Sequence, residues 1–341
     1  MAQLDAPYRQ VLQELPGILS FEWTASEGAR DVGIDGLLQL KTTAGKHSLW
    51  VQQHRSHLSH LFLDHLITQL RRSQHPLLVL APYVGAGAAA KMANADINYL
   101  DQRGNCRIAL GGLFLQIEGK TAAQTPAAQK WLRSPAYQAL FVFLADPSLL
   151  NEPLREIATW AGVSRQPILA MKHRLLDERY AFVSSSRTRW NPDRWPEALA
   201  LWLHGYETTV RPSLLIGSYR TREADPSALE GKIARTLPRA EYRWGGSAAG
   251  FRLSPHYRGQ RTVVHVESLP ANLPKRLEAL SDPAGNLLVM KAPGRIHWER
   301  QHDTVHPLLV YSEMLSEGNE RAREAARLLY DSHVAPLSKL P

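Results

Sequence analysis

With 341 residues the chain is too long for one ordinary domain, so two or three are expected. Apolar residues make up 44%, enough for true cores, and the formal net charge is +8. The single cysteine, Cys106, excludes a disulfide framework and a cysteine-based zinc site, and the basic balance favours a polyanion as partner, nucleic acid before an anionic membrane.

The start, MAQLDAPYRQ, has no basic segment leading into an apolar core. The most apolar run, PLLVLAPYVGAGAAA, is broken by Pro82, Gly85 and Gly87 and is too short for a bilayer. A cytoplasmic protein with no membrane partner is expected. Residues 1–120 alternate between strands and helices. APYRQVLQEL is a short helix. ILSFEWTA, IDGLLQLKT and HSLWVQQH are successive strands, the last two joined by Ala44-Gly45. HLSHLFLDHLITQLRR has Leu58, Leu61, Phe62, Leu66 and Leu70 at helical steps. PLLVLAP is a buried strand, GAAAKMANA a short helix, and INYLD, CRIAL and LFLQIEG are strands.

Three chemistries compete in this region. Gly85-x-Gly87-x-x-Ala90 follows a strand and opens a helix, with Asp101 closing the next strand, as in a dinucleotide fingerprint. Three residues separate that strand from the first glycine, which is too slack for the fingerprint turn, and no cofactor is expected. The strand pair instead suggests a PD-(D/E)XK nuclease, in which two acids bind magnesium and a lysine helps activate water. Here those positions hold Asp35, Gln52 and His54. Gln52 is a neutral donor and His54 is only partly charged near neutral pH, so the expectation is a restriction-endonuclease-like α/β fold with an eroded site. Third, His57, His60 and Asp64 share a helix face at metal-ligand spacing. The apolar stripe leaves them on the solvated side, and no metal is expected there.

KTAAQTPAAQK is a polar linker, and residues 131–205 turn helical. SPAYQALFVFLAD is a supporting helix. In EPLREIATWAGVSRQPILAMKHRLLDERYAF a first helix, LREIATWA, ends at Gly162, which allows a tight turn. Ser164 then caps the next helix, with Pro167 in its first turn. Ala158 stands where the helices approach, and Ile168, Leu169, Leu175 and Leu176 are expected to face inward. YAFVSSSRTRWNP supplies two strands around Ser184–Ser186. The pattern is a winged helix–turn–helix. Over 164–194, seven basic residues (Arg165, Lys172, Arg174, Arg179, Arg187, Arg189, Arg194) stand against three acids (Asp177, Glu178, Asp193), a net of +4. Ser164, Arg165 and Gln166 would meet base edges; Lys172, His173, Arg187 and Arg189 would lie nearer phosphates. The alternative use of such a module is protein docking.

Residues 206–341 form a mixed, basic α+β region ending in a long amphipathic helix, HPLLVYSEMLSEGNERAREAARLLYDSH, which would seal its own domain or a dimer contact. Between Arg211 and Arg261 ten basic residues offset four acids, with Tyr242, Trp244, Phe251 and Tyr257 interleaved. Either the aromatics stack on exposed bases or they belong to the core. Gly245-Gly246-Ser247 has the form of a nucleotidyltransferase turn, but no Asp-x-Asp pair follows.

Three stretches resemble the AbiEi-type antitoxins of type IV toxin–antitoxin systems. Residues 77–119 carry Ala81, Pro82, Tyr99, Asp101, Gly104 and Asn105. WGGSAAGFRL spans Trp244–Leu253. The terminal stretch carries Leu309, Tyr311, Arg321, Glu324, Ala325 and Ala326. The resemblance implies a transcriptional regulator that binds double-stranded DNA at its own promoter and represses its operon. It also implies opposition to a nucleotidyltransferase-like toxin encoded nearby, without direct contact being required. Relatives often carry the winged helix at the N-terminus, whereas here it lies in the middle. Those with a nuclease-like domain often keep an acid and a lysine where this chain has Gln52 and His54. The expected architecture is α/β plus α: a nuclease-like domain over 1–120, a winged helix–turn–helix over 131–205, and a basic α+β domain over 206–341. A metal-dependent nuclease using Asp35, Gln52 and His54 is the alternative function.

Overall fold

The computed structural model describes residues 4–25, 34–54, 58, 60–70, 76–120, 132–270, 272–298 and 303–339. The chain forms two compact units, Met1–Trp131 and Leu132–Pro341.

The first unit runs α1 (Ala6–Glu14), β1 (Ile18–Ala25), β2 (Gly36–Thr42), β3 (Gly45–Gln53), α2 (His60–Leu70), β4 (Leu77–Ala81), α3 (Ala86–Asn94), β5 (Asn98–Asp101), β6 (Cys106–Leu110) and β7 (Leu113–Ile117). Its seven strands lie side by side in chain order. β1, β2 and β3 are antiparallel neighbours, β3, β4 and β5 are parallel, and β5, β6 and β7 are antiparallel again. Parallel neighbours need a crossover, and α2 and α3 supply the two required. β4, in the middle, is buried along its whole length, while β2 alternates buried Leu38 and Leu40 with exposed Gln39 and Lys41. Tyr8 and Leu12 of α1 pack with Leu38, Leu40, Leu49, Val51, Leu78 and Leu80 in one core.

The β2–β3 turn falls one residue earlier than the sequence suggests. Thr42 pairs with Gly45, so Thr43 and Ala44 make the turn. The Thr42 hydroxyl accepts from the Ala44 N–H at 3.1 Å and donates to the Gly45 carbonyl at 3.0 Å, a local lock that competes with glycine's turn preference.

The second unit opens with α4 (Ser134–Ala145), α5 (Leu154–Ala161), α6 (Arg165–Asp177), β8 (Ala181–Ser184) and β9 (Arg187–Trp190). It continues with α7 (Trp195–Gly205), α8 (Arg211–Leu214), β10 (Leu215–Arg220), α9 (Pro226–Thr236), β11 (Tyr242–Gly245), α10 (Gly246–Leu253) and β12 (Thr262–Val266). It closes with α11 (Leu273–Arg276), β13 (Leu280–Ser281), β14 (Leu287–Lys291), α12 (Pro307–Ser316) and α13 (Glu320–Leu329). β8 and β9 form a hairpin. The other five strands make a sheet in the order β11-β12-β14-β10-β13, with only the β12–β14 pairing parallel.

The expected long terminal helix is two helices. Gly318 adopts φ 72° and Asn319 caps α13 by accepting the Ala322 N–H at 2.8 Å. A left-handed glycine followed by an asparagine cap stops one helix and starts the next. α12 is buried from Leu308 through Leu315, so it seals its own unit and offers no face to a dimer. Among the described residues no helix is long and apolar enough to cross a membrane.

Candidate nucleic-acid interface

α5 ends on Gly162 in the left-handed conformation, φ 67° and ψ 30°. Ser164 precedes α6 in extended backbone, as a cap should, yet its hydroxyl makes no capping hydrogen bond. The inward stripe of α6 is Ile168, Met171 and Leu175. This corrects the sequence reading. Leu169 is 42% exposed and Leu176 is half-buried, because steps of three and four from Ile168 reach Met171 and Leu175 and turn Leu169 outward. Arg165, Gln166, Leu169, Ala170 and His173 are all exposed. Ser164 is exposed too. Lys172 is half-buried, and desolvation lowers its ammonium pKa.

The hairpin pairs Phe182 with Arg189 and Ser184 with Arg187, leaving Ser185 and Ser186 as a two-residue turn with φ 49° and 63°. Positive φ at both positions is the turn that matches strand twist, though serine adopts it less readily than asparagine or glycine. Two anchors hold the hairpin. The Trp190 indole donates to the Phe143 carbonyl of α4 at 3.0 Å and meets Trp195 edge-on. The Asn151 side chain accepts from the Thr188 N–H at 2.7 Å and donates to the Thr188 carbonyl at 3.0 Å, behaving like an added strand. The sequence gives no local sign of this clamp, since its partners stand 37 residues apart.

The basic residues divide by partner. Arg174 pairs with Glu178 at 2.8 Å, and Arg194 pairs with Glu197 at 2.6 Å while stacking over Tyr180. Arg165, Lys172, Arg179, Arg187 and Arg189 make no ion pair among the described residues. Five cations with no internal carboxylate partner among the described residues, on one helix, its hairpin and the link between them, suit a polyanion.

In the first unit the three nuclease-position residues do gather at one corner of the sheet. Gln52 and His54 lie two residues apart on β3 and its end, both buried, with His54 edge-on to Phe62 of α2 at 4.5 Å. Asp35 stands one step beyond the Gly36–Val51 pair, and its Oδ2 accepts the Gln53 N–H at 2.6 Å. The donor chemistry does not suit a hard cation. Gln52 carries no charge. Burial, with the neighbouring His65 adding, pushes the His54 imidazole down to about 3, so it is neutral. Its Nε2 has no hydrogen-bond partner among the described residues.

The histidine-rich helix also departs from expectation. Asp64 is buried, not solvated, and its Oδ2 meets Lys91 Nζ of α3 at 2.6 Å. An ion pair formed across 27 residues lets the carboxylate enter the core. His57 and the side chain of His60 lie outside the described residues.

Asp101 is fully buried and saturated. Its Oδ1 accepts the Arg103 and Asn105 N–H groups at 2.8 and 2.9 Å, and its Oδ2 accepts Val84 N–H and Asn105 Nδ2 at 3.1 and 2.7 Å. Gly104, with φ 85°, completes this knot. An aspartate so occupied has little left for a ribose hydroxyl.

In the second unit Tyr242 and Trp244 are buried, which removes them as base-stacking platforms. Arg252 lies over Trp244 at 4.2 Å, Arg258 over Phe251 at 4.2 Å, and Arg243 over Trp298 at 4.7 Å. The Gly245-Gly246-Ser247 turn is filled from within. Glu313 of α12 accepts the Gly246 N–H at 2.5 Å, His265 Nε2 lies 2.8 Å from its other oxygen, and Tyr206 donates to that oxygen at 3.2 Å. Burial opposes ionisation of Glu313, but His265 and the Gly246 N–H outweigh it and hold the carboxyl below its usual range.

Residues 194–335 match the AbiEi antitoxin family model. That model describes a transcriptional regulator, the AbiEi antitoxin of a type IV toxin–antitoxin system. The AbiEi resemblance is therefore shown over the span from the base of the hairpin to the end of α13 and the turn after it. WGGSAAGFRL and the terminal helices fall inside the match; α5, α6 and the first unit fall outside it. No curated protein and no solved structure matches the chain.

Proposed function

We propose that this chain is a DNA-binding transcriptional regulator, the antitoxin that represses its own toxin–antitoxin operon. α4, α5, α6 and the β8–β9 hairpin act as a winged helix–turn–helix, with α6 entering the major groove. Ser164, Arg165 and Gln166 meet base edges, while Lys172, His173, Arg187 and Arg189 meet phosphates. The observation that carries this reading is the set of exposed cations without carboxylate partners on α6 and the hairpin, joined to a segment that matches AbiEi regulators.

The order α1-β1-β2-β3-α2-β4 supports a restriction-endonuclease-like fold for the first unit, and its neutral Gln52 and His54 support a non-catalytic role. The chain works in the cytoplasm, with promoter DNA as its partner. A nucleotidyltransferase-like toxin encoded beside it is the activity it opposes.

Gel shifts on the promoter of its own operon across a salt series test the proposal. Tight binding that weakens steeply with salt, and weakens further in Arg165→Ala, is expected. No salt-sensitive duplex binding would leave a protein-docking module as the better reading. Plasmid cleavage with magnesium or manganese that vanishes in Asp35→Ala would replace the regulator with a nuclease.

A further inference from the structure

We infer that Leu169, with Ala170 beside it, reads the C5-methyl group of a thymine in the bound DNA. The inference rests on the DNA-binding reading above and assigns a base to it.

α6 satisfies the core with Ile168, Met171 and Leu175. Leu169 is thus a large apolar side chain, 42% exposed, on a face otherwise made of Arg165, Gln166 and His173. It stands four residues after Arg165, roughly 6 Å along the axis, within the N-terminal half of the helix that meets base edges in helix–turn–helix proteins. Ala170 adds almost no height beside it, so the helix can settle close to the groove floor at this point.

On the floor of the major groove the thymine methyl is the one apolar group, and alanine, threonine and other apolar side chains are its partners. Gln166 lies one turn before Leu169 on the same face, and glutamine pairs bidentately with adenine. The chemistry of this face therefore selects a step that holds both an adenine and a thymine. Arg165, at the helix start, suits a neighbouring guanine.

The test uses the full chain and a pool of randomised duplexes. The best-bound duplex is then made with each thymine in turn replaced by deoxyuridine, which pairs identically but lacks the methyl. One or two positions are expected to lose affinity about fourfold, the effect of leaving one methyl unburied. In Leu169→Ala those positions should lose most of their sensitivity to the exchange, while Leu169→Met keeps it and both variants keep the salt dependence of binding. Binding that is salt-sensitive but indifferent to every thymine methyl overturns the inference and leaves the regulator reading standing. So does methyl sensitivity that persists unchanged in Leu169→Ala, or a selected site with no thymine. Failure of any duplex to bind in a salt-dependent way overturns the regulator reading and the inference with it.

Discussion

The backbone of Gly162 runs against that of Gly294, so closely that a Cβ on Gly162 would stand 2.7 Å from the Gly294 nitrogen. Next to them the Trp160 carbonyl accepts the Arg295 N–H at 3.1 Å. The turn between α5 and α6 is therefore fastened to a loop inside the family-matched segment. Both glycines have positive φ, 67° and 73°, so neither position welcomes a side chain for conformational reasons either.

Gly162→Ala should destabilise the second unit by about 2 kcal/mol or more, from left-handed strain plus the clash. Denaturant midpoints measure this directly. Gly318→Ala is the control, since it lies in the same unit with φ also positive, at 72°, but a Cβ there meets nothing within 4 Å. It should carry the strain without the collision.

Removing the Asn151 clamp should loosen the hairpin without unfolding the unit. Asn151→Ala deletes two hydrogen bonds to Thr188 at an exposed site, a loss of about 1 kcal/mol. Amide exchange at Thr188 should quicken by about an order of magnitude. The opposite change acts on the turn. Replacing Ser185 with Asn and Ser186 with Gly should slow exchange across the hairpin, because those residues adopt positive φ more readily. Unchanged exchange in both variants would show that Trp190 alone fixes the hairpin.

Much of the strand and helix order was legible, because alternation along β2 and continuous burial along β4 are written locally in residue type. What the sequence concealed was mostly long-range. Asp64 looked solvated because its partner, Lys91, lies on another helix. For Tyr242 and Trp244 the sequence left base stacking and the core equally open, because the packing that buries them comes from other parts of the unit. Leu169 was a different failure. Adjacent residues on a helix point in different directions, and Met171, one turn beyond Ile168, puts the buried stripe on the Ile168 side and Leu169 outside it. The Gly318-Asn319 break was written in the sequence, but the apolar residues on both sides concealed it. The basic face of α6 was legible because exposure and charge there follow from helical spacing alone.

Acid should unfold the first unit through its histidines. Burial lowers His65 to about 4 and His54 to about 3, against an ordinary value of 6.5. The unfolded chain therefore binds protons that the folded unit excludes once pH falls below about 6.5. Stability is full above that pH and declines as it drops toward 4 and then 3. The slope is up to about 1.4 kcal/mol per pH unit for each histidine. Thermal unfolding of the first unit between pH 7 and 5 should show the decline, and His54→Gln should flatten it. A pH-independent midpoint in the native chain would mean that these imidazoles are not held neutral.

Phosphate contact should be separable from base contact by salt. Arg187 and Arg189 are exposed on the hairpin and make no ion pair among the described residues, so each is free to displace one condensed counterion. Arg187→Ala and Arg189→Ala should each reduce the slope of log affinity against log salt by about one, with little change in which duplex is preferred. Arg194→Ala should leave the slope nearly unchanged, since its guanidinium is already held by Glu197 and stacked on Tyr180. A slope that drops equally in all three variants would mean that the hairpin lies away from the duplex and the cations act only through net charge.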